Sequence, residues 1–548
     1  MCHAPSAHGI KGHSMTQWIA RLWAITFALA GLALLPQPSS AYEILNVGVS
    51  GEPDSLDPHK STLIYARIIN QQIWLPLVSY DKDANIAGAA ADSWEIAKDG
   101  LTYTFHLKDG LRWSDGTPIT SADYVYSFQR MEDPKTLYSS AELYYWIKNA
   151  KAVHEEHHPL TDLGVTAPDA RTLIITLERP NPLFLVLVAN AYAVPEKAIE
   201  KWGSAWTLPE HMVCAGPYIV KERVPGTRLT LIKNPQSIYA QSTAIDEVDV
   251  YFVNDDTAMT DRFRSGELDL VYSVGAAEFD QIAKASPARA LAYNSSNTSF
   301  IMFNTRKKEL ADPRVRRALS MLIDRNIVAA KIVGGHTTPA YSLVPPNWPG
   351  IAPRHEPDYA SWPAKKRLDE ARKLLTAAGY SPQRPLAIEY IYYPSRVGSR
   401  MAVVLKSVWE STGVVKTSLL SKEQAGLFAQ LDSGDFQAAS IGFDMGLEID
   451  PYDVLAGVEP GGWNDRTGFK SAEYESLMDK VRASADANER AKLLGEADTL
   501  WANFYTTVAV IHAPARWFIS PAVKGWSMKA EPYFFRTLSI ERKSAAAH

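Results

Sequence analysis

LRWSDGTPITSADYVYSFQR, residues 111–130, is the stretch from which the rest of the chain is read. Thr120 and Asp123 stand at capping-box spacing, so a helix begins there. Tyr124, Val125 and Phe128 give that helix one apolar face. Just upstream, LTYTFHL (101–107) alternates at period two and runs into Asp109-Gly110. That is the pattern of a strand leaving through a turn. Strand, turn and capped helix in one short stretch point to a mixed α/β fold.

Outward from there the mixture continues. Toward the N-terminus, Ile44–Val49 reads as a strand, GEPDSLDPHK (51–60) as a turn-rich loop, and Ile64 to Leu77 as a helix ended near Pro76. Toward the C-terminus, Arg171–Leu177 and Thr227–Leu231 read as strands. Asp312-Pro313 starts a helix with Asp as N-cap and Pro in the first turn; Val315, Ala318, Leu319, Leu322 and Ile323 form its apolar face. A further helix carries Leu368, Ala371, Leu374 and Leu375 and stops at Gly379. Strand-like runs follow at 386–393 and 414–420, and two helices between Glu473 and Trp501. There are no repeats and no low-complexity linkers, so the chain is expected to cross between lobes several times.

A chain of 548 residues is too long for one hydrophobic core. The composition, 46% hydrophobic and 21% charged, is that of a globular protein and excludes disorder and a multi-span membrane protein. A net charge of −5 with no basic block argues against nucleic acid as a partner. Residues 1–41 read as a signal region. Met1 to Gly12 looks like an extension ahead of a second start at Met15, Arg21 supplies the positive charge, and LWAITFALAGLALL (22–35) is the apolar core. Ser39-Ser40-Ala41 then sets up cleavage before Tyr42. The apolar run is shorter than the ~20 residues a spanning helix needs. Cys2 precedes it and only Cys214 follows, so no lipid anchor and no internal disulfide are expected. Cys214 reads as a buried structural residue.

At residues 111–130 the sequence resembles a signature of the bacterial periplasmic peptide-binding proteins, which include the oligopeptide- and dipeptide-binding proteins of ABC importers. GEPDSLDPHK, TDLGVTAPDARTLIITLERPNPLF (161–184), CAGPYIVKERVPGTRLTLIKNP (214–235) and MFNTRKKELADPRVRRALSMLIDR (302–325) resemble that family in order. PAYSLVPP (339–346) and RLDEARKLLTAAGY (367–380) continue the match, and 161–235 looks nearest the oligopeptide-binding branch. The resemblance implies an α/β, three-lobed periplasmic binding protein with a hinge-closing cleft between lobes I and III. Lobe I would use 42–77, 205–298 and 512–548, lobe II 78–204, and lobe III 299–511. It implies a monomeric, non-enzymatic periplasmic protein, without cofactor or metal, that delivers small peptides to the permease subunits of an ABC transporter.

The family's ligand loop corresponds to AASIGFDMGLEIDPYDVL (438–455). Family members place an aspartate a few residues after an aromatic, where it meets the ligand's α-amino group; here Gly446 stands in that slot. Asp444 and Glu448 flank it, and either is a candidate for the amino contact. The candidate ligand-binding set is Arg67, Tyr138, Tyr145, Gly442, Phe443, Asp444, Met445, Glu448 and Asp450. For Asp450, a turn-forming role before Pro451 competes with ligand contact. Tyr138, Tyr144, Tyr145 and Trp146 form an aromatic cluster that is core in part. Small residues at Gly398 and Ser440 suggest a roomier, less charged cleft. This leaves murein-derived peptides, or a non-peptide such as an opine or sugar conjugate, as alternative ligands, and a receptor or chaperone role open. His154-Glu155-Glu156-His157-His158 is a formal match to the H-E-x-x-H zinc protease motif. Pro159 follows at once, so the helix the motif needs is not expected.

Overall fold

The computed structural model describes Met1 and residues 42–541, apart from 82, 84, 182, 347, 354–355, 445–449, 460–461, 463–464, 485 and 528–534. The side chains of 64, 294–296, 396, 424–425 and 443–444 are also outside the description, as are residues 2–41. Everything below belongs to the unit that begins at Glu43.

Strand β1 (Ile44–Val49) runs parallel to both of its neighbours. Leu45, Val47 and Val49 are fully buried, as expected for a strand covered on both faces. Helix α1 (Ile64–Ile73) stops where Trp74 turns extended, a little before the Pro76 boundary read from sequence. A small antiparallel sheet then forms from β2 (Ala91–Ile96), β3 (Thr102–Leu107), β4 (Val165–Asp169) and β5 (Thr172–Thr176), in the order β2-β3-β5-β4. Tyr103, Phe105 and Leu107 of β3 alternate inward with Leu173 and Ile175 of β5. Helix α2 (Ser121–Glu132) packs on this sheet through Tyr124, Phe128 and Met131. Its start is fixed by Asp123, whose carboxylate accepts from the Thr120 N–H at 2.7 Å. Helix α3 (Ala150–Glu156) follows.

The large sheet has eleven strands. On one side of it lie β6 (Tyr218–Val224), β7 (Arg228–Lys233), β8 (Glu247–Phe252), β1 and β9 (Leu270–Tyr272). Two long strands form its middle, β10 (Ala290–Phe303) and β15 (Thr507–Ile519), with β11 (Thr338–Pro339) pairing to β15. On the other side lie β14 (Ala438–Asp444), β12 (Leu386–Tyr392) and β13 (Val415–Ser421). One end of the β10–β15 ladder therefore belongs to β9 and β1, and the other to β14 and β12. The ladder shifts register between Tyr293 and Asn297, opposite Ala515 and Ala513. Pro514 falls inside that shift, where a missing N–H breaks no regular pair. Thr298 pins the joint by donating to the Leu343 carbonyl at 2.8 Å and lying 2.8 Å from His512 Nδ1.

Helices α4 (Pro313–Met321, capped by Asp312), α5 (Ala364–Ala377) and α6 (Arg396–Glu410) share a second apolar cluster with β12 and β13. Trp409, Leu405, Leu319 and Tyr390 are completely buried there. Helix α7 (Pro451–Ala456) precedes α8 (Ala472–Ala483) and α9 (Ala487–Ala502). Cys214 is buried and free. Among the described residues no helix is long and apolar enough to cross a membrane.

Candidate ligand site

The candidate loop begins on β14. All seven of its residues pair with β10, Gly442 with Ser299, Phe443 with Thr298 and Asp444 with Asn297. On its other edge only Ala438 and Ala439 pair, with Tyr390 and Ile391 of β12. From Ser440 to Asp444 no strand among the described residues covers that edge. It offers backbone donors and acceptors to a newcomer. Gly442 is exposed there, and a Cβ built on it would meet nothing nearer than Ser299 Oγ at 3.8 Å. Neither packing nor backbone angle demands glycine at this position. Met445, Glu448 and the side chains of Phe443 and Asp444 lie outside the described residues.

The described chain resumes at Asp450, and this end of the loop is firmly held. The Asp450 carboxylate, 1% exposed, binds the Arg490 guanidinium at 2.6 and 3.1 Å and caps α7 by accepting from the Tyr452 N–H at 2.9 Å. It anchors α7 in the fold. Asp453, one turn on, is half-buried beside it, with its Oδ2 shielded from solvent. Burial and the Asp450 charge push the Asp453 carboxyl well above its usual range, against the pull of Arg490 and Arg179.

Beside α7 lies a cavity of about 590 Å³ lined by Leu143, Tyr145, Trp146, Arg179, Tyr452 and Asp453, among others. Trp146 joins its two walls. Its indole hydrogen-bonds to Asp453 and meets Tyr452 edge-on at 5.2 Å. The Arg179 guanidinium lies 4.2 Å from the Trp146 ring centre and 5.5 Å from that of Tyr452. Tyr145 stands 6.0 Å from the His154 ring. Burial, then the Glu155 and Glu132 carboxylates, push its hydroxyl up, so Tyr145 stays protonated at any physiological pH.

The other candidates lie elsewhere. Tyr138 is half-buried against His59 (5.7 Å) and Tyr144 (6.3 Å). His59 belongs to an internal network in which Arg130 grips Asp57 at 2.6 and 2.9 Å and also reaches His59 Nδ1 at 2.9 Å. Burial and Arg130 push His59 down to about 3, so it is neutral. Arg67 is half-buried on α1, with its Nε shielded from solvent. Gly398 does not serve to widen a cleft. A Cβ there would stand 2.3 Å from the Tyr393 carbonyl, so the start of α6 requires glycine.

The H-E-x-x-H match dissolves in three dimensions. Helix α3 ends at Glu156, and His157 takes a left-handed conformation (φ 59°). His154 Nδ1 lies 3.2 Å from the Glu132 carbonyl, while His158 sits near Glu156 and Asp162 at 3.8 and 3.9 Å. The motif's two histidines thus have different neighbours. Among the described residues no cluster of three or more metal-ligating side chains occurs.

A long eleven-stranded sheet with a small antiparallel sheet appended, in a chain of mixed α/β build, defines a class: a multi-lobed periplasmic binding protein. Residues 85–464 match the family described as bacterial extracellular solute-binding proteins, family 5 Middle, and the chain belongs to that family. The chain is 31% identical over 483 residues to the periplasmic oligopeptide-binding protein OppA of Salmonella typhimurium, covering 87% of this chain and 88% of OppA. It is 30% identical over 495 residues to the probable deoxycholate-binding periplasmic protein YgiS of Escherichia coli, covering 90% and 92%. The solved structure of the Escherichia coli murein tripeptide binding protein MppA superposes with a TM-score of 0.79 at 28% identity, covering 92% of this chain and 99% of MppA.

Proposed function

We propose that this chain is the substrate-binding component of an ABC importer that captures oligopeptides in the periplasm and delivers them to the membrane permease. It acts by binding, not catalysis, as a monomer, after cleavage of its signal region before Tyr42. The observation that carries the reading is the uncovered edge of β14 at Gly442. A protein that accepts varied peptides must read what they share, an extended backbone with charged ends. A bare strand edge reads the first, and a carboxylate at Asp444 or Glu448 reads the α-amino end. The α7 anchor at Asp450 holds the end of that loop. The lobes divide as the resemblance implies, with β10 and β15 as the joint on which the cleft closes. Murein peptides fit the same edge, since it makes no demand on side chains.

The test is calorimetric titration of the purified protein with tri-alanine, its N-acetylated form, a murein tripeptide and deoxycholate. Mass spectrometry of material released on denaturation runs alongside. Peptide binding is expected, weakened by acetylation and by either Asp444→Asn or Glu448→Gln. Binding of deoxycholate with no binding of any peptide overturns the reading. Peptide binding indifferent to acetylation and to both substitutions removes the charge pairing and leaves the strand-edge mode.

A further inference from the structure

The cavity beside α7 has a size typical of ligand pockets, about 300–1,000 Å³. The cation on its wall acts on the Asp453 carboxyl but is not held in an ion pair. Arg179 forms no ion pair within 4.0 Å among the described residues, and its buried Nε has no hydrogen-bond partner. Its guanidinium lies over the rings of Trp146 and Tyr452, 4.2 and 5.5 Å from their centres. A guanidinium packed over rings leaves its in-plane N–H donors for a bidentate acceptor. The other charges nearby are accounted for. Asp450 is taken by Arg490 at 2.6 Å, and Lys151 pairs with Glu155 at 3.6 Å. Asp453 is held toward its neutral form by burial and by Asp450. Glu142 also lines the cavity, but it is exposed, so solvent screens it far more than the half-buried Arg179. Leu143, Tyr145 and Trp146 provide apolar surface around the charge.

We propose that this cavity is a second ligand subsite that takes a carboxylate carried on an apolar or aromatic stem, with Arg179 as its anchor. The proposal rests on the peptide reading above. It adds a selective contact to a backbone contact that selects little. Two parts of a peptide supply such a carboxylate, an acidic side chain or the C-terminus, and the probes separate them.

The probes are tri-alanine with Glu placed at each position in turn, the matching Gln peptides, and tri-alanine amide. Each is titrated by calorimetry into wild type, Arg179→Met and Arg179→Lys. In wild type one acidic or free-C-terminal probe is expected to bind about tenfold more tightly than its neutral counterpart, as for one charge-assisted contact. Arg179→Met is expected to bring that ratio close to one while tri-alanine amide binds as before; Arg179→Lys keeps part of the preference. If Arg179→Met weakens every probe equally, or leaves the ratio intact, Arg179 is only a brace between the cavity walls and the proposal is wrong. Failure of any peptide to bind wild type defeats the peptide reading first, and the subsite with it. Peptide binding without an Arg179-dependent preference defeats the subsite alone.

Discussion

The open edge of β14 and the cavity beside α7 are joined by a few loop residues, yet they are built from different material. The edge is backbone, uncovered from Ser440 to Asp444, with a glycine at its exposed position. The cavity is side chain throughout, with Trp146 tied to Asp453 and Arg179 lying over two rings. Backbone groups are the same in every peptide and do not titrate. Side chains differ between ligands and respond to pH. If both take ligand as proposed, the edge supplies breadth and the cavity supplies choice.

The strongest way to break this pairing is at their shared anchor. Asp450→Asn leaves Arg490 buried without its anion and is expected to cost about 3–5 kcal/mol in chemical denaturation, as breaking a buried ion pair does. Combining it with Arg490→Met is expected to recover part of that loss, because no lone charge remains.

Acidity is the next lever, and it acts through Glu132 at the end of α2. Burial pushes Glu132, behind Tyr145, from 4.5 up to about 8. His154 Nδ1 at 3.9 Å is too distant to offset the desolvation. Because the folded value is raised, the unfolded chain releases this proton first. Stability therefore falls as pH rises from about 4.5 to about 8 and is level on either side. Wild type is expected to lose roughly 2–4 kcal/mol over that window relative to Glu132→Gln. Parallel denaturation curves for the two proteins from pH 4 to pH 8.5 would show that Glu132 ionises normally.

The smallest effect belongs to the edge. Gly442→Val has room in the empty protein and a side chain suited to strands. It is expected to leave the melting temperature unchanged and to weaken all tripeptides by about tenfold or more, irrespective of sequence. A loss confined to some peptides would mean that Gly442 faces a side-chain pocket instead.

Much of this architecture was legible in the sequence. The period-two run at 101–107, the capping box at Thr120 and the Asp312-Pro313 helix start all form where their local chemistry places them. The two longest strands were not read. TVAVIHAPARWFI (507–519) contains Pro514, which ordinarily argues against a strand, and only a register shift in a distant partner makes it tolerable. The site divides in the same way. Gly442 and the loop around it stand out from resemblance. Asp450 before Pro451 reads as either a turn former or a ligand contact; in the structure it caps α7, and Arg490, forty residues on, gives no sign in sequence that it completes the anchor. Arg179 and Asp453 look like ordinary charges at the ends of a strand and in a helix. Their role comes from Trp146 lying between them, a tertiary fact with no local pattern. Tyr145 and Trp146 were visible as an aromatic cluster, and the fold puts both on the cavity wall.

Cys214 gives the molecule a practical property. Burial pushes its thiol up to about 12, so at neutral pH it is unreactive as well as inaccessible. Cys214 therefore presents no nucleophilic sulfur to solvent, and Cys2 is the one other cysteine in the sequence. In a chain beginning at Tyr42, a cysteine placed at exposed Glu142, at the mouth of the cavity, would take a fluorophore at one defined position with no background substitution. Such a label would report whether the cavity fills as proposed.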